Sequence, residues 1–525
     1  MAREILKYND RYKGSLTDDE CNILEQLLTL DAQNGYVPEL KHIIFNLSDE
    51  EVDTIIKDKE NSGIASEFER DRGTLRNEQT IGVALLYYAK NAILGDSVGM
   101  GKTVETAGLT NLLKTSYLKE NQTFRYLLLT EKNIAPQVRR EMVKFTGDYV
   151  ELIPSGEQKI MDKFIESHPY FDKLENNVVG THSLLTTSAF LGWLETCRTE
   201  GQGFPFDLLV VDESSVLGNA KTNIANGFKA ISKYFSRIVF LNATPFETKL
   251  DIFYTQLSLL DAKMLPARYL FNQEYCEMDY RGMYPKPSGK YKNQDQFRRL
   301  IGYRYFARTR RDKGAVMEDC YGEIVVSPLS KVQKEWMKLS QLHRMVYDCP
   351  NRLDPTIKFN EDNVPKLGSL RTILNEICAP DDQVLIFVHY KEAQTSLSQW
   401  LTENNYTNKI LNGDTVNAER NEIITGFKKK EYRVLLTNVQ KGLNFGDCNY
   451  CIFYSFDPNP SKMIQFEGRT TRSFDIKGKN VYILCSEGKE LKQLNETVKQ
   501  RAKATSELSN TDISVIMDIL LKGFN

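Results

Sequence analysis

Asn91-Ala-Ile-Leu-Gly-Asp-Ser-Val-Gly-Met-Gly-Lys-Thr103 reads as a short apolar strand, a loop carrying Gly99 and Gly101, and a helix that begins at Lys102-Thr103. In such a corner the backbone N–H groups of the loop and the helix N-terminus converge on one spot, which suits a phosphate group. A lysine at position 102 reaches the β/γ-phosphates, and a Thr103 hydroxyl is placed to ligate Mg²⁺. The general phosphate-loop pattern, G-x-x-x-x-G-K-[ST], fails at one place, because Asp96 stands where the first glycine belongs. Residues further along the chain therefore have to decide whether this is a nucleotide site or a corner with incidental glycines.

Moving outward, short apolar runs alternate with helical stretches from about Leu75 to Phe246: Ala92-Ile-Leu, Tyr126-Leu-Leu-Leu, Val178-Val, Leu208-Leu-Val-Val and Ile238-Val-Phe-Leu. Near-continuous apolar strands separated by helices predict a parallel sheet covered on both faces, with ligands at the carboxyl ends of its strands. The texture resumes near Lys366 with Val384-Leu-Ile-Phe-Val, Val434-Leu-Leu-Thr, Ile452-Phe-Tyr and Val481-Tyr-Ile-Leu, a second parallel sheet without a phosphate loop. The fold expected is α/β, with two such lobes and helical additions. Its parts are a helical acidic segment at 1–73, a first lobe at 74–250, a helical basic segment at 251–365, a second lobe at 366–487 and a helical tail at 488–525.

Composition fits a soluble globular chain of 525 residues, 41% hydrophobic and 26% charged. No apolar run is long enough to span a bilayer and the start is no secretory signal, so an intracellular location without membrane attachment is expected. The nine cysteines are scattered, and Cys448-Asn-Tyr-Cys451 has no second pair to complete a metal site. A net charge of −2 gives no global attraction to nucleic acid, but the charge is uneven. Residues 1–73 hold seventeen Asp/Glu against nine Lys/Arg, with capping boxes at Thr17-x-x-Glu20 and Ser48-x-x-Glu51. This segment is a packing module or a surface for a protein partner. From Arg281 to Lys313 eleven Lys/Arg accompany two Asp, interleaved with Tyr284, Tyr291, Phe297, Tyr303, Tyr305 and Phe306. That density suits phosphate contacts, and Arg298, Arg299, Arg310 and Arg311 are candidate nucleic-acid ligands.

Three further patterns carry chemistry. Asp212-Glu213 closes the strongest strand of the first lobe, where the aspartate can hold Mg²⁺ opposite Thr103 and the glutamate can orient and deprotonate water. Leu241-Asn-Ala-Thr244-Pro245 ends another strand in a small polar turn that can couple phosphate loss to motion. Gln465-Phe-Glu-Gly-Arg469-Thr-Thr-Arg472 sets two arginines one helical turn apart, a spacing that suits arginine fingers.

Taken together, these stretches resemble a superfamily-two helicase-like ATPase, and within it the Swi/Snf type of double-stranded DNA translocase. Asp96 to Thr103 is similar to the family's D-E-x-G-L-G-K-T, which accounts for the aspartate in place of glycine. Leu75-Arg-x-x-Gln79-x-x-Gly82-Val resembles its adenine-recognising segment, Asp207 to Glu213 its Asp-Glu box, Leu241 to Pro245 its L-T-G-T-P, and Phe306-Ala-Arg-Thr-Arg310 its L-R-R-T-K block. In the second lobe Val384 to Tyr390, Leu411 to Thr415 with Arg420, Thr437 to Asn444, Asp457 to Pro460 and Gln465 to Arg472 match family segments. The resemblance covers residues 75–485. It implies two RecA-like lobes, ATP and Mg²⁺ as cofactors, and DNA, double-stranded, as partner. By it Gln79 reads adenine, Gln465 helps couple the lobes, and Thr437 with Asn438 and the segments Lys132 to Gln137 and Thr181 to Ser183 face the DNA backbone.

The chain also departs from the family. Ser214-Ser215 comes after the Asp-Glu box in place of Ala-His, Asn242-Ala243 replaces Thr-Gly, and Gly442-Leu-Asn444 is shorter than G-L-G-I-N. The missing histidine bears on how turnover is coupled to DNA. A compact, remote member of phage, viral or bacterial type fits better than a chromatin remodeller. Two other readings stand beside translocation: a strand-separating DNA or RNA helicase, and a non-catalytic transcription or repair scaffold. The presence of Lys102, Asp212, Glu213, Arg469 and Arg472 speaks against the last.

Overall fold

Seven strands make the first sheet: β1 (Asn91–Leu94), β2 (Tyr126–Thr130), β3 (Val150–Ile153), β4 (Asn177–Thr181), β5 (Leu208–Asp212), β6 (Arg237–Leu241) and, after a hairpin of β7 (Cys276–Asp279) and β8 (Lys286–Tyr291), β9 (Tyr305–Phe306). The order is β3-β4-β2-β5-β6-β1-β9, with every pairing parallel. All five residues of β2 are buried, as covering both sheet faces with helices requires. The computed structural model describes residues 40–62, 71–168, 177–200, 203–243, 250–281, 283–302, 304–309, 316–439, 445–446, 448–470, 476–508 and 514–522. The chain divides into two compact units, 1–308 and 309–525. The expected helices at Thr17 to Leu28 lie outside the described residues.

In the second unit β10 (Met317–Glu318) leads to β11 (Tyr321–Ser327), β12 (Val384–Phe387), β13 (Asn408–Leu411), β14 (Val434–Thr437) and β15 (Tyr450–Phe453); β16 (Ile476–Lys477) pairs with β10, and β17 (Asn480–Ser486) completes a six-stranded sheet. Its order is β11-β17-β15-β12-β14-β13, again all parallel. Successive residues alternate between two cores: Leu385, Leu435, Cys451 and Ile483 enter one, Ile386, Leu436, Ile452 and Leu484 the other. Both units are thus parallel sheets flanked by helices, the RecA-like class expected.

The segment 251–365 carries strands beside helices. With helices Leu250–Leu260, Arg268–Tyr275, Gln294–Ile301, Lys331–Leu339 and His343–Asp348 it contributes the antiparallel hairpin β7–β8, while β9 adds to the first sheet and β11 to the second. Ahead of the first sheet, Ser48 and Glu51 form the expected reciprocal cap on helix Asp49–Ser62. The acidic face of that helix is used inside the unit: Glu60 pairs with Arg139 at 2.8 Å, Asp53 with Arg140, and Asp49 approaches Lys144 at 4.0 Å, all on helix Ala135–Thr146. In the tail, Glu467 accepts from Ser514 Oγ (2.6 Å) and the N–H groups of Val515 (2.8 Å) and Ile516 (3.0 Å), capping helix Val515–Lys522.

Candidate active site

β1 stops at Leu94 and the chain turns through Gly95 to Gly101 before helix Lys102–Lys119 begins. Gly99 and Gly101 take φ of 86° and 92°, left-handed values that a side chain would strain. Gly101 also has no room for one: a Cβ there would lie 2.3 Å from Gln79 Nε2. Lys102 Nζ donates to the carbonyls of Asp96 (2.6 Å) and Ser97 (3.3 Å), curling over its own loop. Thr103 sits on the first helical turn beside it.

β5 delivers the second half of the site at the same carboxyl end of the sheet, with β6 between it and β1. Asp212 accepts from Thr130 Oγ1 through one carboxylate oxygen (2.8 Å) and from the Glu213 N–H through the other (3.0 Å). Burial pushes its carboxyl up to about 6, the adjacent Glu213 charge adds to the rise, and Thr130 and the Lys102 ammonium oppose it. A half-buried carboxylate in like-charged company suits a cation, which is the fit Mg²⁺ needs there. Glu213 takes a left-handed φ of 49°, backbone strain of about 1–3 kcal/mol concentrated on this residue. His182 Nε2 holds the Asp212 carbonyl at 2.7 Å. The segment Thr181 to Ser183, expected to face DNA, is thus tied to the carboxylate pair.

Several expected ligands also have partners within the chain. Asp96, expected at the nucleotide, is instead fully buried, with its carboxylate committed to Arg308. Gln79 is buried, its Oε1 accepting from the Arg76 N–H (3.1 Å) and its Nε2 donating to Met100 O (3.1 Å), so it braces the phosphate loop. Thr437 is fully buried at the end of β14, and its hydroxyl accepts from the Val439 N–H at 2.9 Å, shaping the turn that carries Asn438. Arg298 pairs with Asp295 at 3.1 Å. Gln465 is buried on helix Pro460–Glu467, and Arg469 lies just beyond it, its carbonyl accepting from the Phe445 N–H at 2.8 Å. Thr244, Arg310, Arg311, Arg472, the side chain of Arg299 and the segment 442–444 lie outside the described residues.

Thr130, Glu105 and Gln256 lie in none of the stretches that the sequence singles out, and His182 and Arg308 lie in two that it does, Thr181 to Ser183 and Phe306 to Arg310, without a role of their own. Glu105 and Arg308 leave a trace: a glutamate on the buried face of a helix after a phosphate loop, and an arginine two residues beyond the buried Phe306.

The chain matches the SNF2-related domain over residues 24–383 and the helicase conserved C-terminal domain over residues 366–474. It is 23% identical over 464 residues to the uncharacterized ATP-dependent helicase YqhH of Bacillus subtilis (strain 168), covering 80% of this chain and 77% of that one. It is 22% identical over 498 residues to the putative ATP-dependent helicase/translocase YwqA of the same organism, covering 85% of this chain and 51% of that one. A Sulfolobus solfataricus SWI2/SNF2 ATPase core solved in complex with dsDNA aligns at 16% identity and a TM-score of 0.38, over 84% of this chain and 98% of that one.

Proposed function

We propose that this chain, which belongs to the SNF2-related family of helicase-like ATPases, hydrolyses ATP to translocate on duplex DNA, remodelling protein–DNA complexes or DNA structures. The observation that carries this reading is the placement of the Lys102 loop and the Asp212-Glu213 pair at the carboxyl ends of strands of one parallel sheet. The loop N–H groups and Lys102 bind the phosphates, with Gln79 at the adenine end. Thr103 and Asp212 would hold Mg²⁺, which when bound neutralises charge on the phosphate oxygens. Glu213 orients the attacking water. Arg469 and Arg472 are assigned as the arginine fingers, supported by Gln465, and Thr244 as the coupling residue. Arg298, Arg299, Arg310, Arg311 and Asn438 are assigned to the DNA backbone, and the acidic N-terminal segment to a protein partner.

Strand separation is the second reading. It is favoured by the tip of the β7–β8 hairpin, where Tyr280, Met283 and Tyr284 are 69%, 90% and 71% exposed next to Arg281 and Lys286. Such an apolar tip can stack on unpaired bases. The names of the Bacillus relatives accommodate both readings. Displacement of a triplex-forming strand without unwinding of a forked duplex supports translocation. Unwinding of the fork replaces it with the helicase reading.

A further inference from the structure

The last residues of the first unit are bonded to the phosphate loop itself. β9 pairs with β1, and its hydrogen bonds continue past the end of the strand: Ile93 N donates to Arg304 O (2.7 Å), Gly95 N to Phe306 O (2.6 Å) and Ser97 N to Arg308 O (3.1 Å). Arg308 closes the contact from the other side. Its backbone N–H and Nε donate to Asp96 Oδ1 (3.0 and 3.2 Å), and one terminal nitrogen reaches Asp96 Oδ2 (2.6 Å) and Glu105 Oε2 (2.8 Å). The other terminal nitrogen donates to the Glu78 carbonyl, on the helix that also carries Gln79. Gly82 makes room for this cluster, since a Cβ there would lie 2.1 Å from Glu105 Oε2 and 2.4 Å from an Arg308 nitrogen. Arg308 therefore joins the phosphate loop, its following helix and the Gln79 helix, and the next residue, Thr309, opens the second unit.

We propose that Arg308 is a positioning residue that fixes the phosphate loop through Asp96 and ties the start of the connection to the second unit to the nucleotide state of that loop. A buried, forked guanidinium suits this role because it holds one carboxylate through two nitrogens while its remaining donors reach a second element. A lysine cannot reproduce that geometry. The inference rests on the ATP-hydrolysing reading and adds to it a route by which the loop acts on the connection.

Hydrogen exchange of the full chain, with and without Mg²⁺ and a non-hydrolysable ATP analogue, tests it. In the wild type, exchange at Ser97 and at residues 304–308 slows together, by tenfold or more. Protection of 97–103 without any change at 304–308 overturns the inference and leaves the nucleotide reading standing; no protection of either segment overturns both. Arg308→Lys and Asp96→Asn each raise KM for ATP tenfold or more, with a smaller change in kcat, and uncouple the two segments in exchange. Variants within twofold of wild type in KM, with coupled exchange retained, contradict the role. If both variants fail to fold, the wild-type exchange pattern still decides.

Discussion

The Ser214 hydroxyl donates to Gln256 Oε1 at 2.6 Å, and Asn242 Nδ2 reaches the same oxygen at 3.4 Å. Ser214 and Asn242 are two of the positions at which this chain departs from its family's pattern, and they meet on one buried glutamine of helix Leu250–Leu260. Asn242 N also donates to Leu94 O, so the cluster joins the end of β5, the end of β6 and the strand leading into the phosphate loop. Replacing Gln256 by methionine preserves volume and takes the acceptor from Ser214, a loss of about 1–3 kcal/mol. A urea midpoint below wild type, with turnover falling more than ATP affinity, is expected; unchanged turnover would mean the cluster only packs.

Asp212 sets a pH dependence. Its carboxyl lies at about 6 in the folded protein and near 4 when unfolded, so the folded state favours the protonated form. The stability this contributes is complete below about pH 4 and is lost as pH rises through 6. Asp212→Asn, which is neutral at every pH, should therefore be more stable than wild type in EDTA at pH 8, by on the order of 1–3 kcal/mol, with the gap closing by pH 4. Thermal melts at both pH values check this, and a gap that widens towards low pH reverses the assignment.

Lys366 is fully buried between Asp348 (3.0 Å) and Glu490 (2.9 Å), with Ser455 Oγ completing Asp348 at 2.7 Å. Lys366→Met strands two carboxylates in the core of the second unit and should cost about 3–5 kcal/mol. Denaturation followed by tryptophan fluorescence in a Trp193→Phe background, which leaves Trp336 and Trp400 of the second unit, measures it; a loss below about 1 kcal/mol would mean the carboxylates find other partners.

Neutralising Arg298, Arg299, Arg310 and Arg311 together should lower the log–log salt slope of DNA binding by roughly 3.6, given about 0.9 per phosphate contact. Titrations at several salt concentrations read this directly, and an unaltered slope removes the four arginines from the interface.

Legibility in the sequence tracks strand position. The nine strands expected from apolar runs are the nine interior strands of the two large sheets. Within those two sheets the four strands that escape, β3, β9, β11 and β13, are all at sheet edges. An edge strand is covered less completely and can carry residues such as Glu151 in β3 or Lys409 in β13, which break the apolar run. The site divides in the same way. Lys102-Thr103 and Asp212-Glu213 are recognisable because each pair is adjacent in the chain and follows an apolar strand. Arg308 and Gln256 are not, because their partners Asp96 and Ser214 lie 212 and 42 residues away. The aspartate in the glycine position of the loop is visible in the sequence, but its purpose depends on Arg308.

Whether DNA stimulates this ATPase is read from its rate measured in parallel without nucleic acid and with single-stranded DNA, duplex DNA and RNA. The expected result is a low basal rate, the largest stimulation by duplex DNA, and no hydrolysis by Lys102→Ala under any condition. Hydrolysis in none of the four conditions, or stimulation by RNA alone, would rule out a DNA-stimulated motor.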